Sequence, residues 1–307
     1  MRARVPARAG LVGHPSDGFG GATLSVTVEN FCAEVRAQPA PAPDIAPDGD
    51  GQWPEGGLPL VEATVERFAR HCSTAGTRFD ASVRIRYRST IPRQVGLGGS
   101  SAIVIATLRA LASLADTELA PEYLPALALA VETEGLGIAA GLQDRVVQSY
   151  RGLVFMDFPE RRYERLDPAL LPPLFIAWRP SAGTASGAVH TGVRARFERG
   201  DPGIVGAMRT LTRLAHEARG ALLAGDHAAF ADALDAGYDV RASTYDLDPR
   251  HTAMIEHARA LGLSATYTGS GGAIVGIASD PDAVRGLQSA LQADGVRLEP
   301  ALVDRGG

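Results

Sequence analysis

The chain has 307 residues, 45% hydrophobic and 21% charged, with a formal net charge of −5. That is ordinary globular composition, long enough for one large domain or two closely packed ones, and it lacks the basic excess a general nucleic-acid binder needs. All 30 basic residues are arginine, which excludes a Walker A loop and Schiff-base or pyridoxal chemistry, since each needs a lysine.

In chain order, residues 5–12 are apolar and predict a short strand, followed by a turn-rich run at 13–18. Residues 22–31 alternate, with Leu24, Val26 and Val28 on one face and Ser25, Thr27 and Glu29 on the other, as a strand does. The run 37–58 is rich in Pro, Ala, Asp and Gly and reads as a mobile excursion within a domain. Helical spacing covers 60–72. The clearest strand signal is 79–87, where Phe79, Ala81, Val83, Ile85 and Tyr87 alternate with Asp80, Ser82, Arg84 and Arg86. A glycine-rich loop follows, then a mostly buried helix from Ser100, helices near 121–134 and 141–149, and a strand at 153–158. Beyond about residue 172 come a strand at 174–178, helices near 203–223, 227–240 and 250–261, strands at 265–267 and 273–278, and a helix from Pro281. This irregular alternation predicts an α+β chain with two lobes, 1–170 and 171–307.

Cys32 and Cys72 form no spaced cluster, so neither a disulfide framework nor a zinc site is expected. His251 and His257, six apart, are expected on a solvated helix. Arg2, Arg4 and Arg8 are not followed by an apolar segment of the kind a signal peptide carries. No stretch approaches the ~18 consecutive apolar residues of a membrane span. The expectation is a cytoplasmic protein with neither a membrane nor a nucleic-acid partner.

The strongest chemical signal is Pro92-Arg93-Gln94-Val95-Gly96-Leu97-Gly98-Gly99-Ser100-Ser101-Ala102, set between a strand and a helix. Glycines let the backbone approach a ligand closely and adopt positive φ. Loop and first-turn N–H groups then converge, with the helix dipole, on a polyanion.

These residues resemble the ATP-phosphate motif of the GHMP kinases, Pro-x-x-x-Gly-Leu-x-Ser-Ser-Ala, with one extra glycine. Two further segments are similar to the family's other motifs and occur in the same order. Pro6-Ala7-Arg8-Ala9-Gly10-Leu11-Val12-Gly13 resembles the substrate-side motif, and Thr268-Gly269-Ser270-Gly271-Gly272-Ala273 resembles the third glycine motif. The stretch from Glu132 to Asp144 has the Glu-to-Asp spacing of the galactokinase branch. Gly141-Leu142-Gln143-Asp144-Arg145, the run 152–158 and Pro15-Ser16-Asp17-Gly18 are similar to plant-type glucuronokinases. Against the family pattern, His14 replaces the usual acidic residue or Asn, and Ser270 and Ala273 replace Ala and Gly.

The resemblance implies a two-lobed fold, with an N-terminal α/β lobe carrying the ATP-phosphate loop and a C-terminal ferredoxin-like α+β lobe. It implies ATP and Mg²⁺ as cofactors, and a sugar acid phosphorylated at its anomeric hydroxyl. Pro92, Gly96, Leu97, Gly98, Gly99, Ser100, Ser101 and Ala102 would bind ATP, and Ser101 and Glu132 would hold Mg²⁺. Asp144 would accept or orient the hydroxyl proton, with Arg8 beside it near the transferring phosphoryl. Asp17, Gly269, Ser270 and Gly271 would meet the sugar. The substrate carboxylate needs a cation, and without lysine the candidates are Arg194, Arg241 and Arg145. The alternatives are a GHMP kinase for galacturonate, a neutral sugar or a specialised-pathway intermediate, and a nucleotide-binding regulator that has lost catalysis. The persistence of Arg8, Glu132, Asp144 and both serines argues against the last.

Overall fold

The apolar N-terminal run forms strand β1, Arg2–Val12, buried from Val5 onward. The computed structural model describes residues 1–49, 57–138, 140–180 and 186–305. Two compact units emerge. The first comprises Met1–Ala7, Asn30–Ile91 and Gly98–Tyr150, and the second Arg8–Glu29, Pro92–Leu97 and the chain from Arg151 onward. This interleaving differs from the continuous division expected at residue 170. The physical reason is strand length: β1 has 11 residues and β2, Ala22–Pro39, has 18, so each contributes to both units.

In the first unit the strand order is β3-β4-β2, with β3 at Asp44–Pro47 and β4 at Val83–Ser89. Strand β3 lies inside the run expected to be a mobile excursion; residues 50–56 of that run fall outside the described residues. It pairs parallel to β4, and Asp44 receives hydrogen bonds from Arg84 Nε at 2.7 Å and Arg86 Nη1 at 2.9 Å. On β4, Val83, Ile85 and Tyr87 turn inward, while Arg84 and Arg86 face Asp44 and Arg88 faces Glu34. The strand starts later than expected because Asp80 Oδ1 accepts from the Ser82 N–H at 2.8 Å, a local turn that competes with the ladder. Helix α1, Gly57–Ala75, buries Leu60, Val61, Thr64, Val65, Phe68 and Cys72, a stripe at helical period. Helix α2, Gly99–Leu114, is buried along most of its length. Helix α3, Leu124–Ala130, runs into a π-helical turn at Val131–Gly135, and α4 covers Gln143–Tyr150.

In the second unit β2 pairs antiparallel with β5, Leu153–Asp157, and β5 with β6, Arg162–Leu166. The chain continues through β7 (Leu174–Trp178), α5 (Ser186–Glu198), α6 (Pro202–Ala224), α7 (His227–Thr244), α8 (Pro249–Ala260), β8 (Ala265–Tyr267), β9 (Ala273–Ile277), α9 (Pro281–Ala293) and β10 (Arg297–Pro300). The sheet order is β10-β7-β9-β8, antiparallel throughout. That order, with helices after the first strand and between the third and fourth, is the expected ferredoxin-like arrangement. Helices α6, α8 and α9 each begin at an Asp-Pro pair, whose aspartate accepts first-turn N–H groups. Phe175, Tyr238, Met254, Ile255, Ile274, Leu287 and Leu291 form the core between sheet and helices. Among the described residues no helix is long and apolar enough to cross a membrane.

Candidate active site

In the first unit the glycine loop enters α2 at Gly98, an N-cap with φ +71° and no side-chain cap. The first-turn N–H groups of α2 therefore have no side-chain acceptor at the cap, which suits an anion. Ser101 is fully buried, its hydroxyl 2.6 Å from Gln148 Oε1 and 3.1 Å from the Gly98 carbonyl. Gln148 Nε2 donates to the carbonyls of Gly98 at 2.9 Å and Pro6 at 3.0 Å, tying loop, α4 and β1 together. Sequence reasoning missed Gln148, because a helical glutamine gives no signal of its own.

Glu132 sits in the π-helical turn, a geometry common at functional sites. Its carboxylate is buried and accepts a short hydrogen bond from Arg145 Nη2. Arg145 Nη1 donates to the Gly141 carbonyl at 2.7 Å. Arg145, one of the three candidates for a substrate carboxylate, is thus committed to Glu132. Asp144 is half-buried in the first turn of α4, where the helix dipole favours a negative charge.

In the second unit Arg8 joins the segments of all three motifs. Its backbone N–H donates to the Leu97 carbonyl at 3.1 Å, and its Nη1 to the carbonyls of Gly96 at 2.5 Å and Thr268 at 2.6 Å. The Thr268 hydroxyl also reaches the Gly96 carbonyl at 2.8 Å. A Cβ on Gly269 would lie 2.6 Å from the Gly96 oxygen and 2.7 Å from Arg8 Nη1, so only glycine allows this closeness. Ser270 and Gly271 line a cavity of about 290 Å³ together with Gln94, Asp248, His251 and Tyr267. His251 is buried rather than solvated, because the face of α8 that carries it packs toward Tyr267. Burial lowers its pKa from the ordinary value.

The three remaining substrate candidates gather around Tyr245. Asp17 lies in a 3-10 turn at Ser16–Phe19, and Arg194 Cζ stands 4.8 Å over the Phe19 ring. Arg241 Cζ lies 5.7 Å from the Tyr245 ring centre and 5.0 Å from that of Tyr267. Burial pushes the Tyr245 phenol up to about 12, with Arg241 opposing, Asp17 adding and Arg194 opposing. Arg194 is exposed, whereas Arg241 is almost completely buried.

A two-unit α+β chain with a glycine loop opening a helix, a second glycine loop tied to it by one arginine, and a buried carboxylate and serine has the parts of a nucleotide-dependent phosphotransferase. The family models for the GHMP kinases N terminal domain and the GHMP kinases C terminal match residues 59–152 and 218–297. Glucuronokinase 1 of Arabidopsis thaliana is 34% identical, covering 97% of this chain and 90% of the relative. Probable glucuronokinase 2 of the same plant is 35% identical, at 96% and 89%. In fold, a Streptococcus pneumoniae phosphomevalonate kinase superposes with a TM-score of 0.82 at 14% identity, covering 98% of this chain and 99% of that one. Lactococcus lactis galactokinase superposes at 0.79 and 16%, with 99% and 94% covered. The chain belongs to the GHMP kinases. It is a phosphotransferase with an alcohol group as acceptor and ATP as phosphate donor.

Proposed function

We propose that this protein phosphorylates the anomeric hydroxyl of D-glucuronate, giving glucuronate 1-phosphate and ADP. The observation that carries this reading is the likeness to glucuronokinase over 97% of the chain, well beyond the shared motifs.

In the proposed reaction the backbone N–H groups from Gly96 to Ala102 hold the ATP phosphates. Asp144 accepts or orients the proton of the sugar's anomeric hydroxyl as its oxygen bonds to the γ-phosphorus and the bond to ADP breaks. In this reading Arg8 offers fixed donors where charge develops on the transferring group. Asp17 and the third glycine loop, Gly269, Ser270 and Gly271, orient the sugar hydroxyls. The acid group is met by an arginine.

Mg²⁺ belongs to this reading as a cofactor. The Ser101 hydroxyl and Glu132 carboxylate are hard oxygen donors that suit it, and both are buried and held in place by Gln148 and Arg145. When bound there it would neutralise the β- and γ-phosphates. A coupled ADP-release assay with Mg-ATP against free sugars and uronic acids tests the proposal. D-glucuronate is expected as the best acceptor, and faster turnover of galactose or mevalonate would overturn that choice.

A further inference from the structure

Among the described residues Arg241 is a buried cation without an ion-pair partner. It is 1% exposed on the last turn of α7, and its Nε and Nη2 have no hydrogen-bond partner among the described residues. After burial, the groups that act on it most strongly are Tyr245, Tyr267, Arg8 and Tyr238. The faces of Tyr245 and Tyr267 satisfy part of its charge as cation–π contacts, but a ring face does not replace an acceptor for in-plane N–H groups. A buried, unpaired charge is costly to folding, so a protein seldom keeps one without use.

The two unsatisfied atoms are the side-on fork of the guanidinium, the pair of parallel donors that matches the two oxygens of a carboxylate. Around them the site is short of acceptors and rich in positive charge, since Arg8 is close enough to depress the Arg241 pKa. The Tyr267 hydroxyl likewise lacks a partner among the described residues, and Tyr267 lines the cavity that Ser270 and Gly271 share. Arg194, the other candidate in this unit, is solvent-exposed and stacked on Phe19, so water already satisfies its charge.

We infer that Arg241 is the specificity residue of the acceptor site, binding the carboxylate of a sugar acid through Nε and Nη2. This rests on the reading of the protein as a uronate kinase and names the residue that separates acid from neutral acceptors. The fork is closed to water, so admitting the acid includes a local shift of the side chains packed on that edge. The Arg8 and Arg241 charges lie in one neighbourhood, and a nucleotide phosphate is the other anion that could answer them; the test separates the two.

The test measures binding of D-glucuronate, its neutral analogue D-glucuronamide, and a non-hydrolysable ATP analogue by calorimetry, with melting curves, on the full-length wild type, Arg241→Met and Arg241→Lys. Wild type is expected to prefer the acid over the amide by roughly 10²-fold, the worth of two charged hydrogen bonds. Arg241→Met should reduce that preference to a few-fold, keep its affinity for the ATP analogue, and melt no lower than wild type. Arg241→Lys should retain part of the preference, because it keeps the charge and loses the fork. An undiminished preference in Arg241→Met, a loss of nucleotide instead of acid affinity, or a melting point well below wild type would each overturn the inference. If glucuronate proves not to be a substrate, galacturonate serves as the carboxylate probe, and inorganic phosphate stands for the rival anion. Galacturonate raising the melting point of wild type and not of Arg241→Met upholds the site; no such rise, or one given by phosphate alone, ends it.

Discussion

Glu132 and Arg145 form a buried ion pair, with side chains 1% and 4% exposed, linking the π-helical turn after α3 to the first turn of α4. The pair sets the carboxylate proposed to hold Mg²⁺ against a cation of the protein's own. Removing one partner leaves the other charged and uncompensated in the interior. Arg145→Met is therefore expected to lower stability by about 3–5 kcal/mol. Millimolar Mg²⁺ should recover part of that loss without nucleotide, because the freed Glu132 then lacks a counter-ion. Thermal melting with and without Mg²⁺ measures both effects, and an Arg145→Met protein indifferent to Mg²⁺ would remove Glu132 from the metal site.

Gly269 is held against the Gly96 carbonyl and the Arg8 guanidinium, with no room for a methyl group. Gly269→Ala must push apart the loops of two motifs and the arginine that joins them. The expected cost is ~1–3 kcal/mol of stability, with turnover falling more than stability does, since Arg8 moves with the loop. Denaturant unfolding alongside steady-state kinetics checks this, and wild-type turnover in Gly269→Ala would show that the close approach is not needed.

Much of the fold was legible because its signals are local. Strand 174–178 is an unbroken apolar run and was readable to its ends, while α6, α8 and α9 combine helical periodicity with an Asp-Pro start. Strand β3 was not, because what orders it is Asp44 meeting Arg84 and Arg86 about 40 residues away. Strands β6 and β10 are charged, and of their residues only Leu166 is buried, so they show little alternation. At the site, the glycine loops announce themselves in composition. The partnership of Glu132 with Arg145, the strut of Gln148 and the burial of Arg241 depend on how elements pack. A lone arginine on a helix reads as a surface residue until its neighbours are known.

His251 gives the protein a pH dependence near neutrality. Burial holds its pKa below the ordinary 6.5, with Asp248 opposing. The unfolded chain then binds the proton more readily than the folded one. Its contribution is complete above pH 6.5 and is lost as pH falls toward the folded value. Stability should fall as the pH drops below about 6.5, with a slope from this group below ~1.4 kcal/mol per pH unit. His251→Gln should flatten that slope in urea unfolding curves, and an unchanged slope would assign it to other groups.

Asp144, proposed to take the hydroxyl proton, separates chemistry from binding. Asp144→Asn keeps size and hydrogen-bonding capacity but gives up the base, so turnover should fall by about 10²–10⁴-fold while nucleotide affinity stays at the wild-type value. A smaller loss would favour positioning over proton abstraction, since a loose phosphoryl transition state needs little help with the proton. Activity within a few-fold of wild type would exclude Asp144 from both roles.

The proposed metal ligands should reveal themselves through metal dependence. Ser101 and Glu132 are buried oxygens, each with a protein partner that remains when the other is changed. Glu132→Gln and Ser101→Ala should each raise the Mg²⁺ concentration for half-maximal rate at fixed ATP, because a hard cation loses one oxygen ligand and keeps the rest. Ser101→Ala should also free Gln148, whose amide still holds Gly98 and Pro6, so the loop stays in place. Arg8→Ala should behave differently, lowering turnover even at saturating metal, since its donors serve the loops and the transferring group. A Mg²⁺ titration of all three variants separates these outcomes. Wild-type metal dependence in Glu132→Gln would leave Glu132 as the partner of Arg145 alone and move the search for the ligand to Glu134, exposed on the same turn.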